Sequence, residues 1–491
     1  MAGETHDVTA AFDDLLQPNR MLPFAPLGST DVPSAVVRRL RAAISLGLLP
    51  DGRRLPKEAD LAARLGVTTF ALREALAELR NQGLLVTRAG KYGGSFVTYT
   101  AESDQLEQDE LVELSSAELR DVADWRQMLA AHAAALAAQR ASDANIEMLA
   151  AFAARVGEAG NSVDARRAHG RFLLELASAA QSMRMARAEF AVHEQIDWLF
   201  GLALQTAEER AAGAAALTEI ADAVRSRDAQ QAKAAAERCI GRLLGILARL
   251  RFERIAARRD TQGAAVSTTL AGELNTIVEC VASNLDGYAR DVAPLLAPVG
   301  TFETARRGIT RASLQRIEAF PPVVTGVGVV IEIGVMPRHP YWIQWWQRTE
   351  DGPVPHDHHV LDPGCEDFYD YALREFFDRP RRDHRPFASG PYVDYGCVDD
   401  FVLTISAPIL AGDTFLGVTC IDILVADLES WLSPLLAAAG ESYLINGERR
   451  VIVSNSATHG AGDLLATVDG FVVDEYPHLR WTLLTRPNGD G

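Results

Sequence analysis

Residues 55–73 read LPKEADLAARLGVTTFALR, and this stretch decides the fold of the N-terminal part of the chain. The pattern predicts a short helix, a tight turn at Gly66 and a second helix capped by Thr68. Glycine favours the left-handed backbone at a helix end, and a threonine hydroxyl accepts a hydrogen bond from a first-turn amide. Two helices joined in this way form a helix-turn-helix, whose second helix enters the major groove of DNA. The stretch therefore predicts a DNA-reading head.

The flanking residues extend this prediction to a winged helix-turn-helix over residues 31–98. From Val36 apolar residues recur at helical spacing, which predicts a helix before the motif. After it, two short apolar runs surround the glycines of residues 90–94, which predicts a β-hairpin wing. Residues 1–30 are polar and contain turn residues, so we expect a flexible leader.

The charge of the chain is divided unevenly along its 491 residues, whose formal net charge is −18. Residues 34–97 hold 11 Lys and Arg against 5 Asp and Glu, whereas residues 1–33 hold one against five. A basic head on an acidic body fits a protein that places only its head against phosphates.

The composition favours a cytoplasmic protein. Hydrophobic residues make up 48% of the chain, yet we find no apolar run of about 18 residues and no signal-peptide pattern. The cysteines lack CxxC spacing, so we expect reduced core thiols rather than a disulfide framework or a zinc cluster. They are Cys239, Cys280, Cys365, Cys397 and Cys420.

Residues 34–97 resemble the winged helix of GntR-family regulators. The similarity rests on the turn of residues 55–62, Gly66-Val67, the Arg73–Leu76 run and Gly83-Leu84. The resemblance implies a homodimer that reads double-stranded operator DNA. The family usually has Ser-Arg where this chain has Thr68-Thr69, so its operator preference is expected to differ. The alternative is a winged helix used for protein contacts. The predicted DNA-binding residues are Lys57, Arg64, Thr68, Thr69, Arg73 and Lys91.

Residues 105–256 are rich in alanine and leucine and predict an all-α bundle of five or six helices. The segment resembles the FCD effector domain of the FadR branch. The resemblance rests on Arg126-x-x-Leu129, the alanine run 133–138 and Phe172-x-x-x-Leu176. Many FCD members bind a metal, but the resemblance places leucines, which cannot ligate a metal, at two of this chain's four matching positions. We therefore expect no metal and no other cofactor. Those positions are His169, Leu173, Leu217 and Cys239.

Residues 264–491 predict an α+β sensor domain: one long helix over 267–296, then strands beyond Arg311. The runs 391–394, 404–409 and 415–423 make this segment similar to a Cache domain, which is PAS-like. The tail from Glu441 then corresponds to a shortened second module.

Amino-acid-binding double Cache domains hold the ligand carboxylate with Arg-x-Trp-Tyr and the ammonium with Tyr-x-Asp and a later Asp. This chain keeps the ammonium set but carries Glu366 and Phe368 in place of the arginine and tryptophan. The resemblance therefore implies an amine ligand without a carboxylate, bound by ion pairing and cation–π contacts. The predicted ligand-binding residues are Glu366, Phe368, Tyr369, Tyr392, Asp394 and Asp422.

Other interpretations of this segment remain open. Asp394 and Asp422 are also compatible with turn carboxylates, and Tyr392 with a core residue. The aromatic residues of 341–346 either line the pocket or form a buried helix face or an interface. The histidines of 356–359 favour an exposed loop over a metal site, because prolines surround them.

Together these patterns predict a ligand-responsive transcription regulator with no membrane attachment. The alternative is a regulator that senses a carboxylate or a metal in the helical bundle and uses the C-terminal domain for assembly. Nucleotide-binding and hydrolase signatures such as the P-loop, Gly-x-Ser-x-Gly and His-Glu-x-x-His are missing, so we do not expect an enzyme.

Overall fold

The computed structural model describes most of the chain as two compact units. The first unit comprises residues 1–114 and 119–247, and the second comprises residues 115–118 and 248–491. The predicted leader lies outside the described residues. These are residues 32–90, 93–98, 111–262, 269–296, 301–336, 338–349, 351–356, 359–366, 368–394, 400–456 and 458–486.

The first unit begins with the predicted winged helix. Its elements are α1 (Val32–Ser45), α2 (Glu58–Leu65), α3 (Thr69–Asn81), β1 (Leu85–Arg88) and β2 (Gly94–Val97). Gly66 ends α2 in the left-handed region at φ 70°, and the Thr68 hydroxyl accepts a hydrogen bond from the Ala71 amide, so both local predictions are confirmed. Strands β1 and β2 pair antiparallel as the wing.

The head and the bundle share one apolar core within this unit. Leucines of the head, among them Leu40, Leu61 and Leu72, belong to the same buried cluster as Leu174 and Phe190 of the bundle. Burial of this apolar surface holds the head against the bundle.

Within the described residues, the predicted bundle contains six long helices. They are α4 (Ser116–Arg140), α5 (Asp143–Glu158), α6 (Ser162–Ala179), α7 (Met183–Phe200), α8 (Ala207–Arg225) and α9 (Ala229–Gln262). Capping boxes begin α5 at Ser142 and α8 at Thr206. In each box the hydroxyl of this residue accepts a hydrogen bond from the backbone amide of the third helical residue, whose side chain accepts one from the backbone amide of the capping residue. The alanines of α4 belong to one buried apolar cluster with residues of α5, α6 and α8.

The second unit combines helices with an antiparallel sheet. Its helices are α10 (Leu270–Val292), α11 (Phe302–Ala319), α12 (Glu375–Asp383) and α13 (Val425–Leu436). The six-stranded sheet has the order β5-β4-β3-β8-β7-β6. The strands are β3 (Val324–Ile331), β4 (Ile343–Gln347), β5 (Val354–Pro355), β6 (Phe387–Asp394), β7 (Asp400–Ala411) and β8 (Thr414–Leu424). The predicted order of winged helix, helical bundle and α+β domain is confirmed.

A four-stranded sheet of order β10-β9-β12-β11 follows. Its strands are β9 (Ser442–Ile445), β10 (Val451–Ser454), β11 (Val472–Tyr476) and β12 (Trp481–Thr485). This small sheet occupies the tail that the sequence assigns to a shortened second module.

Three details differ from the sequence-based expectations. Helix α11 was not predicted, because its many arginines hide a narrow apolar stripe of Ala305, Ile309 and Ile317. Residues 343–347 form strand β4, so their aromatic side chains are not a helix face. Cys365 is exposed and is therefore not a core thiol.

Among the described residues, no helix has both the length and the apolar character needed to cross a bilayer.

Candidate functional site

The predicted DNA-binding residues of the head are exposed around the start of α3. Lys57, Arg64, Thr68, Thr69 and Arg73 are all solvent-exposed, whereas Lys91 lies outside the described residues. The Arg73 guanidinium lies 2.7 Å from a Glu58 carboxylate oxygen, which orients the arginine beside the helix. The arrangement leaves the first turn of α3 open to a partner, as a recognition helix requires.

Two exposed residues of the head were missed by sequence reasoning. Phe70, in the first turn of α3, exposes 78% of its surface, although an aromatic side chain normally gains free energy by burial. On the wing, the Arg88 guanidinium lies 4.6 Å from the Phe96 ring centroid. In the sequence, an aromatic residue that falls outside the apolar stripe of Leu72, Leu76 and Leu79 is the signal that could have indicated Phe70.

Four of the six predicted ligand-binding residues meet at a small cavity on one face of the six-stranded sheet. Tyr369, Tyr392, Asp394 and Asp422 line this cavity of about 30 Å³, which we call the acidic cavity. Its volume suffices for one or two water molecules or for a single ammonium group.

Strand register explains why distant residues meet there. Thr404 of β7 lies directly opposite Asp422 of β8, and Asp422 lies opposite Gly326 of β3. Gly328, two residues further along β3, lies opposite Trp345 of β4. Side chains two residues apart on a strand share a face, so polar and aromatic groups form a row across the sheet.

A hydrogen-bond chain orients the buried carboxylate. The Thr404 hydroxyl donates to Asp422 Oδ1 at 2.6 Å, and the Tyr392 hydroxyl lies 2.7 Å from the Thr404 oxygen. Because the single Thr404 proton goes to Asp422, the Tyr392 hydroxyl donates to Thr404. Thr404 was not predicted from the sequence; its register with Asp422 identifies it.

Burial dominates the electrostatics of the acidic cavity. Burial and the nearby charge of Asp394 raise the pKa of Asp422 from 3.8 to about 7, although the Thr404 hydrogen bond opposes the shift. Burial and the charge of Asp422 also raise the pKa of Tyr392. A buried carboxylate next to a second carboxylate is costly to ionise unless a cation joins them.

The Trp345 indole forms an aromatic wall of the acidic cavity. Trp345 is buried, and its indole N–H has no hydrogen-bond partner in the described part of the chain. A Cβ atom at Gly326 would lie 2.7 Å from Trp345 Nε1, and one at Gly328 would lie 2.2 Å from Trp345 Cε3. Only glycines on β3 leave room for the indole in this position.

The other predicted residues lie elsewhere. Glu366 is exposed on a turn and does not line this cavity. Phe368 packs edge-on against Tyr341 at 4.9 Å between ring centroids. His359, assigned from the sequence to an exposed loop, is half-buried and lines the acidic cavity, with its ring centroid 4.6 Å from that of Tyr369.

The helical bundle buries a second charged cluster. Arg126 Nη1 lies 3.0 Å from Glu189 Oε1, and His193 Nε2 lies 3.2 Å from the same oxygen. Arg166 and His169 are also buried, with the His169 ring centroid 6.0 Å from that of Phe200.

The positions that correspond to FCD metal ligands lie in this bundle as well. Leu173, Leu217 and Cys239 belong to the apolar core, and the two leucines offer no ligand atom for a metal. Among the described residues, no group of three or more His, Cys, Asp or Glu side chains is placed to hold a metal ion.

The fold and the exposed recognition helix define the class of this molecule: a winged-helix DNA-binding protein with a helical second domain. Family profiles agree with this assignment. Residues 33–97 match the bacterial regulatory proteins of the gntR family, and residues 121–242 match the FCD domain. The chain therefore contains a GntR-type winged helix-turn-helix followed by an FCD domain.

Curated relatives match parts of the chain. A Mycobacterium gastri protein that carries the provisional name HTH-type transcriptional regulator RmpR is 39% identical over 162 residues, which are 33% of this chain and 59% of RmpR. The uncharacterized HTH-type transcriptional regulator Rv0494 of Mycobacterium tuberculosis is 39% identical over 72 residues, 15% of this chain and 30% of Rv0494. This chain thus covers less than two thirds of either relative.

Solved structures resemble parts of the chain at low TM-scores. The ligand-binding domain of the Pseudomonas fluorescens chemoreceptor CtaA, solved with L-valine, has 12% identity and a TM-score of 0.32, covering 45% of this chain and 94% of that chain. Streptococcus agalactiae GntR has 23% identity and a TM-score of 0.23, covering 43% of this chain and 96% of that chain. Scores this low carry no conclusion about ligand or assembly.

Proposed function

We propose that this protein is a transcriptional regulator that binds operator DNA as a homodimer through its winged helix. The observation that carries this proposal is the exposed first turn of α3, in a segment that matches the gntR family. One recognition helix reads only a half-site, so operator affinity requires two heads.

The C-terminal domain is proposed to be the sensor, with an amine as its ligand. The pair of Asp394 and Asp422 in one cavity supports this choice, because two carboxylates in a desolvated site are stabilised by a cation. Trp345 and Tyr369 supply aromatic faces for the same cation. The volume of about 30 Å³ fits the ammonium group, and the remainder of the ligand lies outside the acidic cavity.

Ligand binding controls DNA binding only if the two conformations of the dimer differ in their affinity for the amine. We therefore expect a saturating amine to change operator affinity, and operator DNA to change amine affinity by the same factor.

The test uses the intact chain. Fragments selected from random DNA by the purified protein are titrated by fluorescence anisotropy at low salt, with and without cadaverine, spermidine or glutarate. We expect nanomolar binding that the diamines change and glutarate does not. An intact chain without sequence-selective DNA affinity would overturn the regulator proposal, whereas amine-independent DNA binding would overturn the amine-sensor proposal alone.

A second candidate sensor is the helical bundle. Its buried cluster contains Arg126, Arg166 and Glu189, and arginine side chains form bidentate hydrogen bonds with carboxylate ligands. In that case glutarate, and not the diamines, changes operator affinity, and the C-terminal domain serves assembly. Calorimetry on the intact chain with each compound separates the two candidates.

A further inference from the structure

Two helices of the bundle are divided between the two units. The first residues of α4, up to Glu118, belong to the second unit, and the rest of this helix belongs to the first. Helix α9 belongs to the first unit up to Leu247 and to the second from Ala248. Because rigid secondary elements carry energetic coupling, a change at the second-unit end of either helix reaches the bundle.

One buried carboxylate joins these two helix ends. Glu429 lies in α13 and is only 1% exposed. Its Oε2 accepts a hydrogen bond from the backbone amide of Ser116, the first residue of α4, at 2.7 Å. Its Oε1 accepts one from the Ser116 hydroxyl at 2.6 Å and one from Nη1 of Arg251, in α9, at 2.5 Å. We call Ser116, Arg251 and Glu429 the Glu429 cluster.

The Glu429 cluster places a negative charge at the N-terminus of α4. The first amides of a helix have no partner within it, and the helix dipole favours an anion at this end. Ser115 and Glu118 cap each other here: the Glu118 amide donates to Ser115 Oγ at 3.1 Å, and the Ser115 amide donates to Glu118 Oε2 at 2.8 Å. Glu429 binds the next amide, that of Ser116. A side chain of the C-terminal domain therefore completes the cap of a bundle helix.

The ion pair of the Glu429 cluster favours discrete arrangements. The side chains of Arg251 and Glu429 are 4% and 2% exposed. Separating two charges that are buried in this way is strongly unfavourable, because each then lacks both water and its partner. The cluster is therefore either formed or replaced by another complete arrangement, as an element that couples two sites requires.

Helix α13 is also connected to the acidic cavity. Asp422, which lines the cavity, lies two residues before the end of β8, and α13 begins at Val425 directly after that strand. Residues 422–429 alone therefore connect the acidic cavity to the Glu429 cluster. A cation that binds Asp422 acts on the backbone from which α13 starts.

We infer that Glu429 couples the C-terminal domain to the helical bundle. Occupation of the acidic cavity moves the start of α13, and Glu429 then changes its contacts with Ser116 of α4 and Arg251 of α9. These helices carry the change into the bundle, where Leu174 and Phe190 share a buried cluster with the leucines of the winged helix. The inference rests on the proposed regulator function and adds the residue through which regulation acts.

The test separates coupling from binding in the intact chain. Coupling is the factor by which saturating cadaverine changes operator affinity in fluorescence anisotropy, and calorimetry measures cadaverine affinity itself. Glu429→Gln keeps the shape of the side chain but removes the charge that pairs with Arg251. We expect its coupling factor to fall to about one, although the variant still binds operator and cadaverine. A merely structural role would instead weaken binding and leave the factor unchanged.

Two further variants control this measurement. Asp427→Asn removes an exposed carboxylate from the first turn of the same helix and should keep the wild-type coupling factor. If circular dichroism shows that Glu429→Gln is unfolded, Arg251→Met/Glu429→Leu takes its place, because it removes both buried charges together. This double variant should also bind operator and cadaverine without coupling them.

A second measurement does not depend on the ligand. Coupling is reciprocal, so operator bound to the winged helix should change the opening of α13. Hydrogen–deuterium exchange of the intact chain, with and without a selected operator, is followed by mass spectrometry. We expect exchange in residues 425–436 to change about twofold or more in the wild type and to stay unchanged in Glu429→Gln.

The outcomes distinguish this inference from the proposed function. If Glu429→Gln keeps the wild-type coupling factor, or if operator leaves exchange in α13 of the wild type unchanged, the inference is wrong and the regulator proposal stands. If cadaverine does not change operator affinity of the wild type, the amine proposal fails and the exchange measurement decides the inference. A wild-type chain without selective operator affinity would overturn both the regulator proposal and the inference.

Discussion

The winged helix and the C-terminal domain place their candidate functional residues in opposite environments. In the head, Thr68, Thr69 and Arg73 are exposed on a helix whose apolar face alone is buried. In the C-terminal domain, Asp422 is only 6% exposed and lies on a sheet whose neighbouring strands cover it. The candidate residues of the head are therefore accessible to a partner as they stand, whereas the carboxylate of Asp422 is already removed from solvent.

This difference in burial determines how much each charged residue contributes to the free energy of folding or binding. An exposed ion pair such as Arg73–Glu58 is worth about 0–1 kcal/mol, because water and salt screen it. A buried charge costs several kcal/mol to desolvate, and removing its partner exposes that cost. Substitutions at buried positions should therefore have the largest effects, and those at exposed positions the smallest.

The largest effect is expected at the buried ion pair of the bundle. Both side chains of Arg126 and Glu189 are at most 1% exposed, so Arg126→Ala leaves a buried charge and should lower the free energy of unfolding by about 3–5 kcal/mol. Urea denaturation followed by circular dichroism measures this change. Arg238→Ala is the control, because Arg238 and Glu219 form a pair that is 63% and 62% exposed, and its expected cost is about 0–1 kcal/mol.

Equal costs for these two variants would contradict the comparison between buried and exposed charges. The double variant Arg126→Met/Glu189→Leu should recover most of the lost stability, because it removes both charges together.

The next effect is expected at the acidic cavity. Asp422→Asn keeps the shape of the side chain but removes its charge, so cadaverine should bind about 10–150-fold more weakly, as expected for a charge-assisted hydrogen bond of about 1.5–3 kcal/mol. Calorimetry at pH 8 measures this loss. Asp413→Asn, in the exposed turn between β7 and β8, removes the same charge and should leave the affinity unchanged.

A smaller change in cadaverine affinity is expected for each unit of pH. Primary amines remain cationic below about pH 10, whereas Asp422 is protonated below its pKa of about 7. Cadaverine affinity should therefore fall about tenfold for each pH unit below 7 and level off above it. Asp394, Tyr392, Tyr369 and His359 line the same cavity, so the measurement is repeated with Asp422→Asn, in which this dependence should disappear.

Stability without ligand should change in the opposite direction. The pKa of Asp422 is raised on folding, so the native chain binds more protons than the unfolded chain between about pH 4 and pH 7. The contribution of Asp422 is therefore fully present below pH 4 and is lost as pH rises towards 7. Thermal unfolding of wild type and Asp422→Asn should diverge across this window, with the variant more stable at pH 8; curves that remain parallel would contradict the raised pKa.

The same two regions show how far sequence reasoning extends. In the head, local rules place Gly66 and Thr68 within a few residues of each other, so turn, cap and recognition helix could be predicted together. In the C-terminal domain, Tyr392, Asp394 and Asp422 could be proposed from a family resemblance. Thr404 and Trp345 reach the cavity only through strand register, which a single sequence does not specify. Glu366 illustrates the converse: it matches a motif position but lies on an exposed turn.

The smallest effect is expected at the exposed aromatic residue of the recognition helix. Phe70 is 78% exposed beside Thr69, where the family's arginine is missing, and an aromatic side chain in the major groove contacts the methyl group of thymine. Phe70→Ala should weaken binding to a selected operator about fivefold, in proportion to the apolar surface it no longer buries. Fluorescence anisotropy at fixed salt measures the change.

The methyl contact can be isolated by replacing each operator thymine with deoxyuridine, which removes only that methyl group. One or two of these replacements should weaken binding of the wild type and leave Phe70→Ala unaffected, because the variant no longer makes the contact. Glu78→Ala, at an exposed position near the other end of α3, should respond like the wild type. If every deoxyuridine weakens the wild type and Phe70→Ala equally, Phe70 does not contact a thymine, and sequence selectivity rests on the polar residues of the head alone.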